Sequence, residues 1–265
     1  MSEEKTNHWF LFKLAIVFLT RWPVVIKQKV EDDALNAATG YFALVGLVVA
    51  AVSASVFLLS NTWLPSEVAI VLAMVASILF TGAFHEDGLA DMADGLGGGW
   101  TAEAKLKIMK DSRIGTYGSC ALILILLLKY QLLLALAEMS ALMVVTSLVV
   151  GHSVSRALAA SVIGSLEYVQ LDQESKTKPV AQSLSIASRH ILFLTVSTVL
   201  TIVWLYNLLS FGQILWLLAV ALTIRFFLIK FIKRQLGGYT GDVLGAFQQL
   251  FEVGLYMTLL AMVGA

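Results

Sequence analysis

The chain has 265 residues, of which 58% are hydrophobic and 14% charged, and it carries no formal net charge at pH 7. A soluble domain averages about a quarter charged residues, and the apolar residues here arrive in blocks of about 20, the length that crosses a hydrocarbon core as a helix. This composition excludes an ordinary soluble domain, argues against a nucleic-acid partner, and predicts an all-α, polytopic membrane helix bundle in contact with the lipid bilayer. No linker divides the sequence, so we expect residues 1–265 to form a single integral-membrane domain.

The first predicted element is an apolar segment from Trp9 to Val25, which is interrupted by Lys13 and Arg21 and stopped by Pro23. That pattern is typical of a helix lying in the membrane interface rather than crossing it. About seven transmembrane helices should follow this N-terminal interfacial helix. The apolar blocks predict them at about 40–59, 66–84, 116–137, 140–163, 190–209, 212–231 and 244–263.

The basic residues predict the orientation of these spans. Of the 18 lysines and arginines, all but Lys129, Arg156 and Arg225 fall on one side of the seven spans, and the opposite loops contain none. The positive-inside rule makes the basic side cytoplasmic, with the amino terminus inside and the carboxyl terminus outside. The single cysteine, Cys120, excludes an internal disulfide and a cysteine-built metal site.

The densest polar motif follows the second predicted span and reads FHEDGLADMADGLGGG, from Phe84 to Gly99. On a helix, Asp87, Asp91 and Asp94 are spaced i, i+4 and i+7, so their carboxylates share one face. Like charges on one face repel, and a divalent cation relieves that repulsion. Hard oxygen ligands favour Mg²⁺, which proteins hold with one or two carboxylates plus substrate phosphates. We therefore predict these three aspartates as metal ligands, with Glu86 as a less directly placed fourth.

The glycines behind the acids have a predicted role of their own. Gly97 and Gly98 would let the backbone approach a bulky phosphate closely, which predicts a substrate-binding segment. The alternative is a solvated acidic loop whose glycines only mark a flexible turn. His85 could donate to a phosphate, although a histidine that caps the helix or faces solvent is the simpler interpretation.

A basic segment, KIMKDSRIGTYG, runs from Lys107 to Gly118. Lys110 and Arg113 lie three residues apart, so on a helix they would share a face and could grip an anionic substrate. Asp111 could add a metal ligand or hold Arg113 in place. Basic residues beside a span often only determine topology. Because the acidic motif is close in sequence, we predict Lys110 and Arg113 as catalytic groups.

The last polar segment, GGYTGDVLGAFQQLFE, runs from Gly237 to Glu252. Its composition predicts a loop whose amides cradle phosphate, with Gly238, Thr240 and Gly241 as substrate-binding residues. Asp242 would begin the next helix, either as its N-cap or as a metal ligand.

Four charged residues fall inside the predicted spans: Lys129, Arg156, Arg225 and Glu252. An unpaired carboxylate in an apolar span is costly, so we expect Glu252 to have a partner such as Arg225 or Arg156. Arg156 could instead contact a substrate phosphate, and the sequence does not separate these two roles. We interpret Lys129 as snorkelling toward an interface.

Taken together, the segments FHEDGLADMADGLGG, IMKDSRIGTYG and GGYTGDVLGA with Glu252 resemble the signature motifs of the cobalamin synthase family, the adenosylcobinamide-GDP ribazoletransferases. The earlier stretches FLTRWPV and YFALVGLVVA also look similar to that family. The likeness covers most of the chain, and the three motifs are specific in combination.

The resemblance implies a Mg²⁺-dependent enzyme of the bacterial inner membrane that acts in cobalamin biosynthesis. A ribose hydroxyl of α-ribazole, or of its 5′-phosphate, would attack the cobinamide-side phosphorus of adenosylcobinamide-GDP, GMP would leave, and adenosylcobalamin or its phosphate would form. The resemblance makes Asp87, Asp91 and Asp94 the metal ligands. A carboxylate not used by the metal, Asp94 or Asp242, would take the hydroxyl proton. The resemblance is also compatible with a homo-oligomer or with contacts to other enzymes of cobalamin biosynthesis.

Two other functions fit parts of the sequence. A phosphatidyl-type transferase, or another membrane-embedded nucleotide-alcohol phosphotransferase that uses Mg²⁺, also carries aspartates at helical spacing, but here Asp87-Gly88 is not followed by the Ala-Arg of that signature. An ion-coupled transporter would use Arg156, Arg225 and Glu252 as its pathway. Transporters often repeat paired, interrupted helices in two halves, and this sequence shows no such symmetry. The acids also gather at one surface, which favours the enzyme.

Overall fold

The computed structural model describes residues 7–169 and 181–263, and these residues form eleven α-helices. Lys5, Lys176 and Lys178, which contribute to the predicted topology, lie outside the described ranges. The helices are α1 (His8–Leu19), α2 (Asp32–Ala38), α3 (Phe42–Ser60), α4 (Ser66–Thr81), α5 (Phe84–Gly98), α6 (Ala102–Met109), α7 (Thr116–Met139), α8 (Ala141–Ile163), α9 (Ile186–Leu205), α10 (Phe211–Leu236) and α11 (Gly241–Val263).

The predicted membrane helix bundle is confirmed. Within the described residues, six helices are long and apolar enough to cross a membrane, and α4 together with α5 makes a seventh candidate. Each predicted span coincides with one of α3, α4 and α7 to α11. The largest differences are at α9, which begins at Ile186 because the Ser185 side chain caps it, and at α10, which continues to Leu236. Gly237, with φ of 82°, ends α10 in the left-handed conformation that glycine favours.

A sharp bend separates α4 from α5, whose axes differ in direction by 86°. Gly82 and Ala83 both adopt left-handed backbone conformations, with φ of 68° and 58°. The segment after α1 packs into this bend, since the Arg21 amide donates to the Phe80 carbonyl at 2.7 Å. A Cβ on Gly82 would lie 2.3 Å from Nε of the flexible Arg21 side chain, and the left-handed φ is the stronger reason for glycine here. The sequence predicted a span to residue 84 but not this change of direction.

Helices α3, α8 and α11 form the centre of the bundle, and α7, α9 and α10 lie around them. Residues of α8 and α11 are buried along most of their length. In contrast, α7 and α10 expose large apolar side chains, among them Leu124 and Phe226. Contiguous exposed apolar faces on long helices are typical of surfaces that contact lipid chains.

Helix α1 does not cross the bundle, because its 12 residues rise only about 18 Å. Its residues Leu14 and Leu19 are buried against the protein, whereas Trp9 and Trp22 remain exposed. Exposed tryptophans flanking a short apolar helix are typical of the membrane–water interface, which agrees with the predicted interfacial helix.

Gly46 allows α3 and α8 to pack closely, and its replacement tests that packing. A Cβ at this position would lie 2.3 Å from the carbonyl oxygen of His152, a backbone atom that cannot move cheaply. We expect Gly46→Ala to lower the free energy of unfolding by about 1–3 kcal/mol. Thermal unfolding of the detergent-solubilised protein, followed by circular dichroism, measures the change.

Gly212→Ala is the matched control, because none of the described atoms lies within 4 Å of a Cβ built there. Its unfolding midpoint should stay at or above that of the wild type. Equal midpoints for the two variants would contradict the proposed close packing of α3 and α8.

Candidate active site

The polar motifs meet at one end of the bundle, where α5 crosses α11. A Cβ on Gly88 of α5 would lie 2.9 Å from the Cα of Asp242 on α11. One turn further along α11, a Cβ on Gly245 would lie 3.3 Å from the Cα of His85. The two helices therefore touch backbone to backbone, and this contact brings Asp242 against the acidic face of α5.

Four carboxylates interact at this crossing. Asp242, Asp87 and Asp94 all repel a negative charge on Asp91, and Asp87 also repels a charge on Asp242. Asp87 is exposed, whereas Asp91 and Asp242 are half-buried. Such a concentration of negative charge, partly removed from water, is unfavourable without a cation or protons to offset it.

Asp94 occupies a different environment from the other aspartates. Its two carboxylate oxygens accept hydrogen bonds from the amides of Gly115 and Gly118, at 2.7 and 2.9 Å. These amides lie at the start of α7, so Asp94 satisfies donors that would otherwise lack partners at a helix N-terminus. A Cβ at either glycine would collide with the Asp94 carboxylate, at 2.4 Å in both cases.

The donor set fits Mg²⁺ only if the substrate completes the coordination. Among residues 7–169 and 181–263, no three His, Cys, Asp or Glu side chains are grouped closely enough to hold a metal ion by themselves. Protein sites commonly hold Mg²⁺ with one or two carboxylates plus substrate phosphates and water. Asp87, Asp91 and Asp242 offer oxygen donors of this type, and their role as ligands stays a prediction.

Glu86 points away from these aspartates into the bundle. It is 9% exposed, and its Oε1 accepts a hydrogen bond from the Gln249 side chain at 3.1 Å. Gln249 in turn donates to the Gln248 side chain at 2.8 Å, and Gln248 donates to Glu252 at 2.6 Å. A chain of buried amides thus connects the acidic motif to a charged cluster deeper in the membrane domain.

Glu252 is the centre of that charged cluster. It pairs with Lys129 at 3.0 Å, accepts a hydrogen bond from the Tyr256 hydroxyl at 3.1 Å, and lies 3.4 Å from the His152 ring. The prediction that Lys129 snorkels to an interface is wrong, because its side chain is buried and paired. The expected need of Glu252 for a partner is confirmed.

The two arginines predicted as partners for Glu252 behave differently. Arg225 is not its partner, because its guanidinium donates to Ser161 and Ser165 instead, at 2.6 Å to each hydroxyl. Arg156 attracts Glu252 electrostatically, and its guanidinium donates to the His152 carbonyl at 2.9 Å. Within the described part of the chain, Arg156 Nε is buried and lacks a hydrogen-bond partner.

The basic segment differs from its prediction because α6 ends at Met109. Lys110 follows as the C-cap and Arg113 lies beyond the helix, so the expected shared helical face is wrong. Asp111 holds Arg113, with its Oδ1 3.0 Å from Nε and its Oδ2 2.6 Å from Nη2. The hydrogen bonds from Arg113 lower the pKa of Asp111 to about 2, so this exposed pair stays ionised at neutral pH. Lys110 and Arg113 are both exposed, in the segment between α6 and α7.

The glycines of α5 serve packing in this structure. Gly97 lies under the Tyr117 ring, where a Cβ would come within 2.4 Å, and a Cβ on Gly98 would lie 3.2 Å from Ile108. Both glycines belong to the last turn of α5 rather than to an open loop. His85 is buried with its ring edge-on to Phe84, so the expectation that it faces solvent is wrong.

The loop before α11 is held by backbone pairing. The Tyr239 amide donates to the Glu167 carbonyl at 2.9 Å, and a Cβ on Gly238 would lie 2.2 Å from that oxygen. Thr240 caps α11 by accepting a hydrogen bond from the Val243 amide at 3.2 Å. The N-cap interpretation of Asp242 is therefore wrong. One oxygen of its carboxylate accepts a long hydrogen bond from the Thr240 hydroxyl, at 3.4 Å. At Gly241 the described atoms leave a Cβ position open.

Several members of the buried network were missed from the sequence. Gln248, Gln249 and Tyr256 contribute side-chain hydrogen bonds at its centre. Adjacent glutamines in an otherwise apolar span are a signal that could have indicated them, because unpaired amides are costly in such a span.

The model of the cobalamin-5-phosphate synthase family matches residues 11–260. The chain belongs to this family. Membership confirms the family resemblance predicted from the sequence.

The curated relatives of the family are similar along their whole length. The chain is 49% identical over 253 residues to the adenosylcobinamide-GDP ribazoletransferase of Shewanella frigidimarina, covering 95% of this chain and 94% of that protein. It is 48% identical to the enzyme of that name from Shewanella baltica strain OS185, covering 98% of each. It is 46% identical to the enzyme of that name from Shewanella oneidensis, covering 100% of this chain and 99% of that protein. No solved structure gives a significant match.

Removing one member of the buried ion pair should destabilise the fold strongly. Lys129→Met leaves the charge of Glu252 with less compensation, and we expect a loss of about 3–5 kcal/mol in the free energy of unfolding. The double variant Lys129→Met/Glu252→Gln removes both charges and should recover at least half of that loss.

Chemical or thermal unfolding in lipid nanodiscs, arranged as a double-mutant cycle, measures this coupling. Glu252→Gln alone completes the cycle, and a double variant whose loss equals the sum of the two single losses would show that the pair is not coupled.

Proposed function

We propose that this chain is an adenosylcobinamide-GDP ribazoletransferase, which joins α-ribazole or its 5′-phosphate to adenosylcobinamide-GDP and releases GMP. The observation that carries the proposal is near full-length similarity to relatives of that name. In the fold, the α5 aspartates and Asp242, which come from two separate polar segments of the sequence, lie against each other at one crossing. The reaction completes the nucleotide loop of a cobalamin.

The reaction replaces one phosphorus–oxygen bond by another. The ribose hydroxyl forms a bond to the phosphorus attached to cobinamide, and the bond from that phosphorus to the bridging oxygen breaks. GMP departs with the bridging oxygen, and the hydroxyl proton passes to a carboxylate. Of the two candidate bases, Asp242 is the better placed, because both oxygens of Asp94 already accept backbone hydrogen bonds.

Charge at the pyrophosphate must be offset as GMP leaves. Mg²⁺ held by Asp87 and Asp91, with Asp242 beside them, would neutralise phosphate oxygens and favour displacement. Lys110 and Arg113 lie on the exposed segment between α6 and α7, where they would attract the anionic substrate and the departing phosphate. Asp94 holds the start of α7 against α5 and so fixes this segment relative to the aspartates.

The cellular setting follows from charge and from the family. The multi-pass protein would lie in the inner, cytoplasmic membrane of a bacterium. Basic residues gather at the end of the bundle that carries the aspartates, so the site would face the cytoplasm. That side supplies nucleotide-activated substrates.

Reconstituted activity tests the proposal directly. Purified protein in lipid, supplied with adenosylcobinamide-GDP, α-ribazole 5′-phosphate and Mg²⁺, should form GMP and a cobamide in equal amounts, measured by chromatography. Chelation of Mg²⁺ by EDTA should stop turnover, and added Mg²⁺ should restore it. No product at any Mg²⁺ concentration would rule out this function.

The aspartates of α5 should be required for turnover but not for folding. Asp87→Ala and Asp91→Ala remove oxygen donors from a repulsive cluster, so stability should hold or rise while kcat/KM falls by at least about 100-fold. Glu103→Ala, an exposed acid at the start of α6, is the control and should keep wild-type activity. Near-normal turnover in both aspartate variants would exclude the metal assignment.

A further inference from the structure

A small cavity lies inside the bundle, between the first turn of α5 and the charged cluster around Glu252. The centre of a water molecule can occupy about 10 Å³ of it, which is enough for one water and too little for a larger ligand. Of the ten described residues that line it, all but Val49 have polar side chains. The cavity therefore suits a single small polar molecule.

Polar atoms without partners are concentrated around this cavity. Within the described residues, five buried side-chain atoms lack a hydrogen-bond partner, and four of them belong to residues that line it. These four atoms are Glu86 Oε2, His152 Nε2, Arg156 Nε and Gln249 Oε1. All four side chains are at least nine-tenths buried. Ordered water is the usual partner of buried polar atoms that the protein itself does not satisfy.

The four atoms match the hydrogen bonds that one water molecule makes. Glu86 Oε2 and Gln249 Oε1 can accept its two hydrogens. Arg156 Nε can donate to its oxygen, and His152 Nε2 is a second donor when the ring carries hydrogen there. With histidine counted as neutral, the lining contains two basic and two acidic side chains, whose formal charges cancel. A neutral molecule is therefore favoured over an ion.

We propose that this cavity holds one ordered water molecule, and that Glu86 acts through it as a positioning residue for the aspartates of α5. The inference rests on the proposed function for the part those aspartates play in turnover. Among the described side chains none caps the start of α5, which follows the bend at Gly82 and Ala83. The water would join the Glu86 carboxylate to Arg156 on α8 and to Gln249 on α11.

Both oxygens of the Glu86 carboxylate would then be held. The Gln249 side chain already donates to Oε1 at 3.1 Å, and the water supplies a donor to Oε2. Asp87 is the next residue, and its amide donates to the Ala83 carbonyl at 2.9 Å in the first turn of the helix. Fixing the Glu86 side chain thus limits the rotation of α5 about its axis, and with it the direction in which Asp87 and Asp91 project.

A structure of the protein in lipid, at a resolution that shows ordered water, tests the site itself. We expect one water peak within hydrogen-bonding distance of Glu86 Oε2 and Arg156 Nε. A dry cavity would overturn the proposal, and so would a metal ion bound between the carboxylates.

The positioning role is tested with Glu86→Leu and Gln249→Leu, which remove polar atoms at similar volume. Each should speed hydrogen–deuterium exchange of the α5 amides from Asp87 to Asp91 at least tenfold, measured without substrate. Each should also raise the Mg²⁺ concentration for half-maximal turnover at least tenfold. The double variant should exceed either single variant by no more than twofold, because both act through the same contacts. If Glu86→Leu fails to fold, Gln249→Leu carries the test.

Two further variants separate positioning from other roles. Glu86→Gln keeps an oxygen acceptor and should bring the Mg²⁺ requirement back to within threefold of the wild type. Equal losses in Glu86→Gln and Glu86→Leu would instead indicate a metal ligand and contradict the positioning role. Ser147→Ala is the matched control, because Ser147 Oγ is also buried and unpartnered among the described residues but lies outside the cavity lining. Effects of Ser147→Ala as large as those of Gln249→Leu would attribute the changes to lost stability and refute the proposal.

The exchange measurement and the structure need no substrate, so they separate this inference from the proposed function. Faster exchange in the leucine variants, combined with a wild-type protein that forms no GMP, would overturn the function and keep the water site. Wild-type turnover, combined with unchanged exchange and an unchanged Mg²⁺ requirement in the folded variants, would overturn the inference and keep the function.

Discussion

Helices α5 and α11 are in backbone contact at Gly88, and the geometry of the site depends on that contact. A side chain at this position would collide with the backbone of Asp242, only 2.8–2.9 Å from the added carbon. The crossing brings together carboxylates that are some 150 residues apart in sequence. Separation of the two helices by one side chain would move the α5 aspartates away from Asp242.

Beneath this crossing, a chain of hydrogen-bonded polar side chains extends from the surface into the interior of the bundle. Glu252 is paired with Lys129 and hydrogen-bonded by Gln248 and Tyr256, so its charge is compensated within an apolar domain. Buried ion pairs rarely add much net stability, because desolvation offsets attraction. Separating the two charges of such a pair is strongly destabilising, however, so the helices that carry them must stay adjacent. Through Gln249 and Glu86 the same network reaches the first turn of α5 and limits how α5 can rotate.

Apolar length and charge bias predicted the spans and the helical acidic motif, because these are local properties of the sequence. Contacts between side chains that are distant in sequence could not be predicted from these local properties. Lys129 looked like an interfacial lysine because its partner Glu252 lies on another helix. Asp94 shares its spacing with Asp91, yet its oxygens bind the amides at the start of α7. Lys110 was assigned to a helix that ends one residue earlier. Each error concerns a tertiary contact or a helix end, not the composition of a segment.

The bend after α4 has a consequence for the surrounding lipid. Helix α4 has 16 residues and rises about 24 Å, less than the roughly 30 Å of a typical hydrocarbon core. The chain turns by 86° at Gly82, so α5 does not lengthen α4 along its own axis. A bilayer accommodates so short a helix by thinning beside it, by snorkelling of the flanking side chains or by oligomerisation of the protein. If the bilayer thins beside α4, the membrane surface lies closer to the start of α5, and acyl-chain length would then change how far a water-borne substrate travels to reach the aspartates.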